Sequence, residues 1–336
     1  MDIEEEAAMK QRLLGKTGWN VSEVSLGTWQ VGGRWGEPFD NAVAERLLND
    51  AIDAGINFID TADVYSGGAS EAAVGRVVRA RREPVLVATK CGRQIQPHLS
   101  AGYTVAALRG FVEKSLKNSG LDRLDLVQLH CPPTDVYYRP EIFELFDKLR
   151  DEGKVVHLGV SVEKVEEALK AIEYPNVATV QIVFNMFRQR PAELFFEQAR
   201  RRNVGVIVRV PLASGLLTGQ YSAATTFGAA DHRQFNRDGA AFDRGETFSG
   251  VDYATGLGAV EELKQLFAGD TPLAHWALRW ILMFEAVSCV IPGASRAEQL
   301  ASNLKATGVR ALTEREMKGV AEIYARRIKA AVHPRW

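Results

Sequence analysis

Eight short runs of apolar, largely β-branched residues recur along the 336-residue chain, with stretches of helical period between them. The runs are 24–27, 56–60, 85–89, 124–130, 155–160, 178–183, 205–210 and 287–291. Apolar runs this short are strands covered on both faces, the condition of a parallel sheet flanked by helices. The helical stretches include 42–54, 71–82, 105–118 and 140–151, with Leu48, Ile52, Phe111, Leu116, Phe143 and Leu149 on their sheet-facing sides. Gly55, Gly120, Gly153 and Gly205 fall where those helices must stop. Eight strands alternating with helices close into a (β/α)8 TIM barrel more readily than they form an open sheet.

The chain shows no linker and no internal repeat, so residues 1–336 read as one domain with a flexible N-terminus over 1–10. Two segments depart from the alternation. Residues 12–22, RLLGKTGWNVS, have the pattern of an N-terminal β-hairpin, placed to close the barrel floor. The long loop 218–252 after strand seven is rich in Gly, Asp and Arg, and is expected to be a lid at the barrel mouth. Helices at about 254–267 and 272–285 follow it.

With 41 basic against 42 acidic residues the net charge is −1, which gives no footprint for nucleic acid. No apolar run approaches the ~20 residues needed to cross a bilayer. Cys91, Cys131 and Cys289 lie far apart and form no metal or redox motif. Together with an acidic N-terminal stretch unlike a secretion signal, they lead us to expect a cytoplasmic protein without a metal.

Polar residues at the ends of buried strands carry the chemistry. Asp60 ends the second run, with Tyr65 five residues on; Lys90 follows the third, and His130 ends the fourth. Catalytic groups of barrels come from the C-terminal ends of different strands, so these four are expected to converge. Taken singly, each could be structural. Together they make a coherent set: Lys90 lowers the pKa of the Tyr65 phenol, Asp60 holds Lys90, and His130 orients a carbonyl. A tyrosine acid beside a carbonyl suggests protonation of a developing alkoxide, hence reduction by a hydride donor.

The motifs DTADVYS with GASE behind it, the strand-end Lys90, QLH and GVS occur in the order of the aldo-keto reductases, which the chain resembles over nearly its whole length. The resemblance implies a (β/α)8 barrel, the tetrad Asp60, Tyr65, Lys90 and His130, and reversible reduction of an aldehyde or ketone to an alcohol. It also implies a nicotinamide cofactor held without a glycine-rich fingerprint. Gly256-Leu257-Gly258 is a near miss for one and is read as a helix start.

By the same resemblance Gly27, Thr28, Trp29 and Asp60 approach the nicotinamide ribose, and Ser161 and Gln181 hold the carboxamide. Arg209 occupies the place where relatives stack an aromatic ring, while Val162 replaces an asparagine. Val210, Pro211, Leu212, Ser214 and Gly215 match the pyrophosphate segment. Ile291, Pro292, Gly293, Ser295, Arg296, Gln299 and Asn303 match the adenosine end, with Ser295 as a helix N-cap and Arg296 reading the 2′-phosphate. NADP(H) is therefore expected over NAD(H).

Trp29, Tyr65, His130, Cys131 and Phe184 are the expected substrate rim. A sugar, an inositol or a keto-acid all stay open as the small-molecule substrate. So do two other readings: a nicotinamide-binding regulatory protein like the potassium-channel β-subunits, and a cofactor-free lyase or isomerase. The oligomeric state is not legible.

Overall fold

All eight expected runs are strands of one parallel sheet in the computed structural model, which describes residues 9–33 and 36–336. Residues 1–8 of the N-terminal segment expected to be flexible lie outside the described residues. The hairpin comes first, with β1 (Gln11–Leu13) antiparallel to β2 (Asn20–Ser22). The barrel strands follow as β3 (Leu26–Gly27), β4 (Phe58–Asp60), β5 (Leu86–Cys91), β6 (Leu124–His130), β7 (Val155–Ser161), β8 (Val177–Val183), β9 (Gly205–Arg209) and β10 (Val287–Val290). Each pairs with its sequence neighbour. The two ends meet through parallel bridges at Val24–Val290 and Gly27–Gly293, where the Ser25 N–H donates to the Val290 carbonyl at 2.9 Å.

Helices cover the outside: α1 (Asn41–Asp53), α2 (Ala69–Ala80), α3 (Val105–Ser119), α4 (Pro140–Asp151), α5 (Val165–Ala171) and α6 (Phe195–Arg201). A short α7 (His232–Phe235) lies inside the long loop, followed by α8 (Tyr253–Leu266), α9 (Leu273–Leu282), α10 (Ala297–Lys305), α11 (Glu314–Arg327) and α12 (Lys329–Val332). Local chemistry starts several of them. The Asp40 carboxylate accepts from the N–H groups of Ala42 and Val43 at α1, and Thr104 caps α3. Gly256 and Gly258 lie within α8, as their reading as a helix start requires.

The hairpin closes the floor as expected. Leu14 and Val21 pack against Phe58, Ala88, Leu126, Ile207, Cys289 and Ile291 inside the barrel. Gly55, Gly120 and Gly153 take positive φ after their helices, but Gly205 does not. Asn203 makes that left-handed turn, and Gly205 is needed because a Cβ there would lie 2.7 Å from the Leu14 side chain.

The loop 218–252 is folded down over the mouth rather than held out as a solvated flap. Asn236 orders its middle, accepting from the N–H groups of Ala241 and Phe242 while donating to Thr247 Oγ1. Phe227, Phe248 and Tyr253 pack together beneath it. Trp336 anchors its far end: the indole donates to Asp243 at 2.8 Å, and the ring lies under Gly245 and Gly250 with the Arg188 guanidinium 4.1 Å from its centre.

Because Leu14 is fully buried as the floor plug, Leu14→Ala leaves a cavity that rigid strands cannot fill. A loss of about 2–5 kcal/mol in urea unfolding is expected. A loss below 1 kcal/mol would show that the hairpin does not brace the barrel.

Candidate active site

Three strands deliver the four expected polar residues to one place. Asp60 ends β4, Lys90 lies in β5 and His130 ends β6, while Tyr65 stands on the loop leaving β4. Asp60 and Lys90 are each about 1% exposed, and their ion pair is 2.5 Å long.

The Lys90 ammonium spends its donors on three acceptors: Asp60 Oδ1, the Thr61 carbonyl at 2.7 Å and the Tyr65 hydroxyl at 3.2 Å. An ammonium has no acceptor, so the phenol cannot return its own proton to Lys90. That proton is left for a group in the cleft. The second Asp60 oxygen accepts from the side-chain amides of Gln128 (3.1 Å) and Gln181 (2.8 Å).

Electrostatics correct one expectation. Lys90 does favour the Tyr65 phenolate, but burial raises the phenol's pKa more strongly, and Asp60 and Glu246 add to the rise. The net shift is upward from the ordinary value, so Tyr65 stays protonated. Lys90 itself meets the opposite balance. Burial opposes its charge, yet Asp60 and Tyr65 together carry its pKa above the ordinary value. For His130, burial followed by the nearby charges of Arg93 and Lys90 holds the pKa well below the usual histidine range. The imidazole is thus neutral, and its Nδ1 is buried without a hydrogen-bond partner.

From the tetrad a cleft of about 490 Å³ runs across the barrel mouth to α10. Gly27, Thr28, Trp29, Gln181, Arg209, Val210, Pro211, Leu212, Ser214 and Gly215 line it, as do Ile291, Pro292, Gly293, Arg296, Gln299 and Asn303. Backbone φ is positive at Val210, Ala213, Ser214 and Gly215, a sharply folded segment that presents main chain to the cleft. Arg296 is exposed, and its guanidinium has no hydrogen bond or ion pair among the described residues. A long cleft with a folded small-residue segment in the middle and an unpaired guanidinium at one end fits a dinucleotide.

Several expected residues stand elsewhere. Phe184 is not on the rim: it is fully buried in the core, stacked on Trp280 and edge-on to Phe196 and Phe284, because its side chain faces the helical layer. Cys131 lies beneath the mouth, its sulfur 3.5 Å from Ser161 Oγ and from Arg209 Nη2; neither it nor Ser161 is part of the cleft wall. Ser295 is not an N-cap. Arg296 holds that position with no side-chain bond to the helix, while the side-chain amide oxygen of Gln299 accepts from both the N–H and the hydroxyl of Ser295.

The loop expected as a lid at the mouth does contribute to the cleft wall, although the partners of its charged residues were not legible. Tyr221, His232, Arg233 and Glu246 also line the cleft. His232 packs on Trp29 with ring centres 5.2 Å apart, above Tyr65. Glu246 bridges two arginines, with Arg93 at 2.6 Å and Arg209 at 3.2 Å, and Arg209 also binds Glu163 at 2.9 Å. A charged residue in a mixed-charge loop carries no signal of such a partner. Glu163, two residues past Ser161 at the end of β7, could have been suspected from its strand-end position. The ligand atoms of Cys131, Glu163 and Glu246 lie within 4.8 Å of one another, but both carboxylates face guanidinium groups and so belong to an ion network.

The comparisons with known proteins agree with this geometry. The model of the Aldo/keto reductase family matches residues 23–325. An uncharacterized oxidoreductase of Bacillus subtilis, YqkF, is 30% identical over 93% of this chain and 95% of its own length. The NADH-specific methylglyoxal reductase of Escherichia coli is 27% identical over 90% and 94% of the two chains. Among solved structures, the holo form of aldo-keto reductase AKR11C1 from Bacillus halodurans superposes with a TM-score of 0.75 at 26% identity, covering 94% of this chain and 96% of that one.

Asp63, between Asp60 and Tyr65, gives a testable pH dependence. It is buried, and burial followed by the charge of Glu71 outweighs the hydrogen bonding of Gln94 and the Val64 backbone to raise its pKa from 3.8 to about 7. The folded protein therefore holds this proton where the unfolded chain has lost it. Stability from this group is present below the unfolded pKa and lost as pH rises to about 7. Asp63→Asn, neutral throughout, is expected to melt higher than the unsubstituted protein above pH 7, with the gap shrinking toward pH 4. Melting curves that run parallel across this range would refute it.

Proposed function

The chain belongs to the aldo/keto reductase family of oxidoreductases, and we propose that it reversibly reduces an aldehyde or ketone to an alcohol with NADP(H), using Tyr65 as proton donor. The observation that carries this reading is the Lys90 ammonium, whose three acceptors include the Tyr65 oxygen. A bound reduced nicotinamide supplies the hydride.

The residues of this chain supply the rest. The neutral His130 imidazole orients the substrate carbonyl by hydrogen bonding. As negative charge develops on the carbonyl oxygen, Tyr65 transfers its proton to that oxygen. The nearby Lys90 charge stabilises the phenolate left behind, and Asp60 keeps Lys90 in place. The aromatic cover of Trp29 and His232 limits water at the site, where these charges act most strongly. In the oxidative direction the same phenol oxygen receives the proton.

The adenosine end supports the cofactor choice. Arg296, Gln299 and Asn303 line the cleft at the start of α10, and the Arg296 fork suits a phosphate. The E. coli relative named for NADH specificity makes this preference a question for measurement.

Tyr65→Phe keeps the ring and deletes the proton, so NADPH should still bind while carbonyl-dependent NADPH oxidation falls by about 10²–10⁴. Near-normal kcat, with chemistry limiting turnover, would remove Tyr65 from the mechanism. If wild type binds NADPH yet turns over no carbonyl in a broad panel, the protein is a nicotinamide-binding regulator instead.

Arg296→Ala should weaken NADPH by roughly ten- to a hundredfold and NADH hardly at all, since only NADPH brings a 2′-phosphate. Fluorescence titration of both cofactors separates the cases. Equal losses would mean that Arg296 supports the site without reading the phosphate.

A further inference from the structure

The loop residue Glu246 has no place in the chemistry just described, yet it stands in the wall of the catalytic cleft with Tyr65, His130, Trp29 and His232. It is 6% exposed, and its charge acts on both Tyr65 and His130. With Arg93, Glu163 and Arg209 it forms a ring of four ionisable groups. Arg93 follows β5, Glu163 follows β7 and Arg209 ends β9, while Glu246 comes from the loop above.

Glu246 Oε1 is 2.6 Å from Arg93 Nη2, and its Oε2 is 3.2 Å from Arg209 Nη1. Arg209 Nη2 reaches Glu163 at 2.9 Å and the Val162 carbonyl at 3.0 Å. The contact between Arg93 and Glu163, at 4.0 Å, closes the ring.

This arrangement discriminates among substrate groups. The two arginines that could bind a carboxylate or phosphate already donate to protein carboxylates. An anionic substrate would have to displace one of them and would meet Glu246 as a like charge. Of the two acids, burial and the neighbouring Glu246 push Glu163 up to about 8, whereas Arg93 and Arg209 outweigh burial and hold Glu246 below the usual carboxylate range. Glu246 is thus the member that stays ionised.

An ionised carboxylate offers about four lone-pair sites; the arginines take two of them and the Glu163 carboxyl a third, which leaves one toward the cleft. The capacity left over suits a group that donates a hydrogen bond and carries no charge. Trp29 and His232 line the same cleft and offer aromatic surface to a carbon chain.

Resting on the carbonyl-reductase reading above, we propose that Glu246 is a specificity residue that accepts hydrogen bonds from substrate hydroxyls and selects neutral polyhydroxylated carbonyl compounds over anionic and unsubstituted ones. A site built to bond a hydroxyl discriminates strongly against the analogue lacking it, because a buried polar group is then left unpaired. Hydrogen bonds to charged groups are large enough to give a tenfold effect or more.

The test uses three four-carbon aldehydes with NADPH: erythrose, butanal and succinic semialdehyde. Wild type should prefer erythrose over butanal by about tenfold or more in kcat/KM, counted on the free aldehyde, and succinic semialdehyde should be poorest. In Glu246→Gln the erythrose-to-butanal ratio should fall about tenfold, and succinic semialdehyde should gain on both, because Arg93 and Arg209 lose a charged partner.

A measurement on the wild type alone covers a variant that fails to fold. Erythritol should compete with butanal, and succinate at equal concentration should not. Turnover of butanal at least as good as erythrose, an unchanged ratio in the variant, or competition by succinate but not erythritol overturns the proposal while leaving the reductase reading intact. Absence of turnover with all three aldehydes and with a wider carbonyl panel overturns both.

Discussion

The buried ion pair between Asp60 and Lys90 governs the geometry of the mouth. Taking both charges out of water costs several kcal/mol per ion, and mutual attraction offsets this only when the remaining valences are also satisfied. Here they are. Lys90 places its ammonium on Asp60, the Thr61 carbonyl and the Tyr65 hydroxyl, and Asp60 turns its other oxygen to two glutamine amides. Those amides reach in from β6 and β8, so the pair is built only when four barrel strands are in register. Site and fold are therefore one cooperative unit, and a slip of one strand would strand a charge in the interior.

A consequence is the protonation pattern across the cleft. The same burial that demands the ion pair also keeps Tyr65 protonated and His130 neutral. A protonated phenol beside a neutral imidazole is the arrangement that the proposed reduction uses. Lys90 does not make the phenol a strong acid in the resting protein. In the mechanism proposed above its effect grows when the phenolate forms, which places the stabilisation on the charge that the proposed step creates.

The second ionic assembly, around Glu246, differs in kind. It joins a loop to three strand ends and sits beside the reacting centre without touching the tetrad pair. The loop is further held by Trp336 beneath Gly245 and Gly250. On the proposed reading cover and selectivity come from one segment, because the side chain that ties the loop down also lines the cleft.

The sequence by itself determined the eight barrel strands, the hairpin floor, the helices read near 42–54, 71–82, 105–118, 140–151, 254–267 and 272–285, and the convergence of Asp60, Tyr65, Lys90 and His130. These depend on apolar period, on capping and on strand-end placement, all of which are local along the chain. Even Leu124–His130 and Pro140–Asp151 were legible to their last residues, since a polar residue or a proline marks each boundary.

Tertiary structure decided the rest. Phe184 and Cys131 follow strands just as site residues do, yet each faces away from the cleft, because the side a residue faces after a strand ends is set by packing. The sign of the Tyr65 shift required burial to be weighed against a neighbouring charge, and depth in the barrel is not a property of sequence spacing. Glu246 is separated from Arg93 by about half the chain's length, and their pairing exists only because the loop folds back over the mouth.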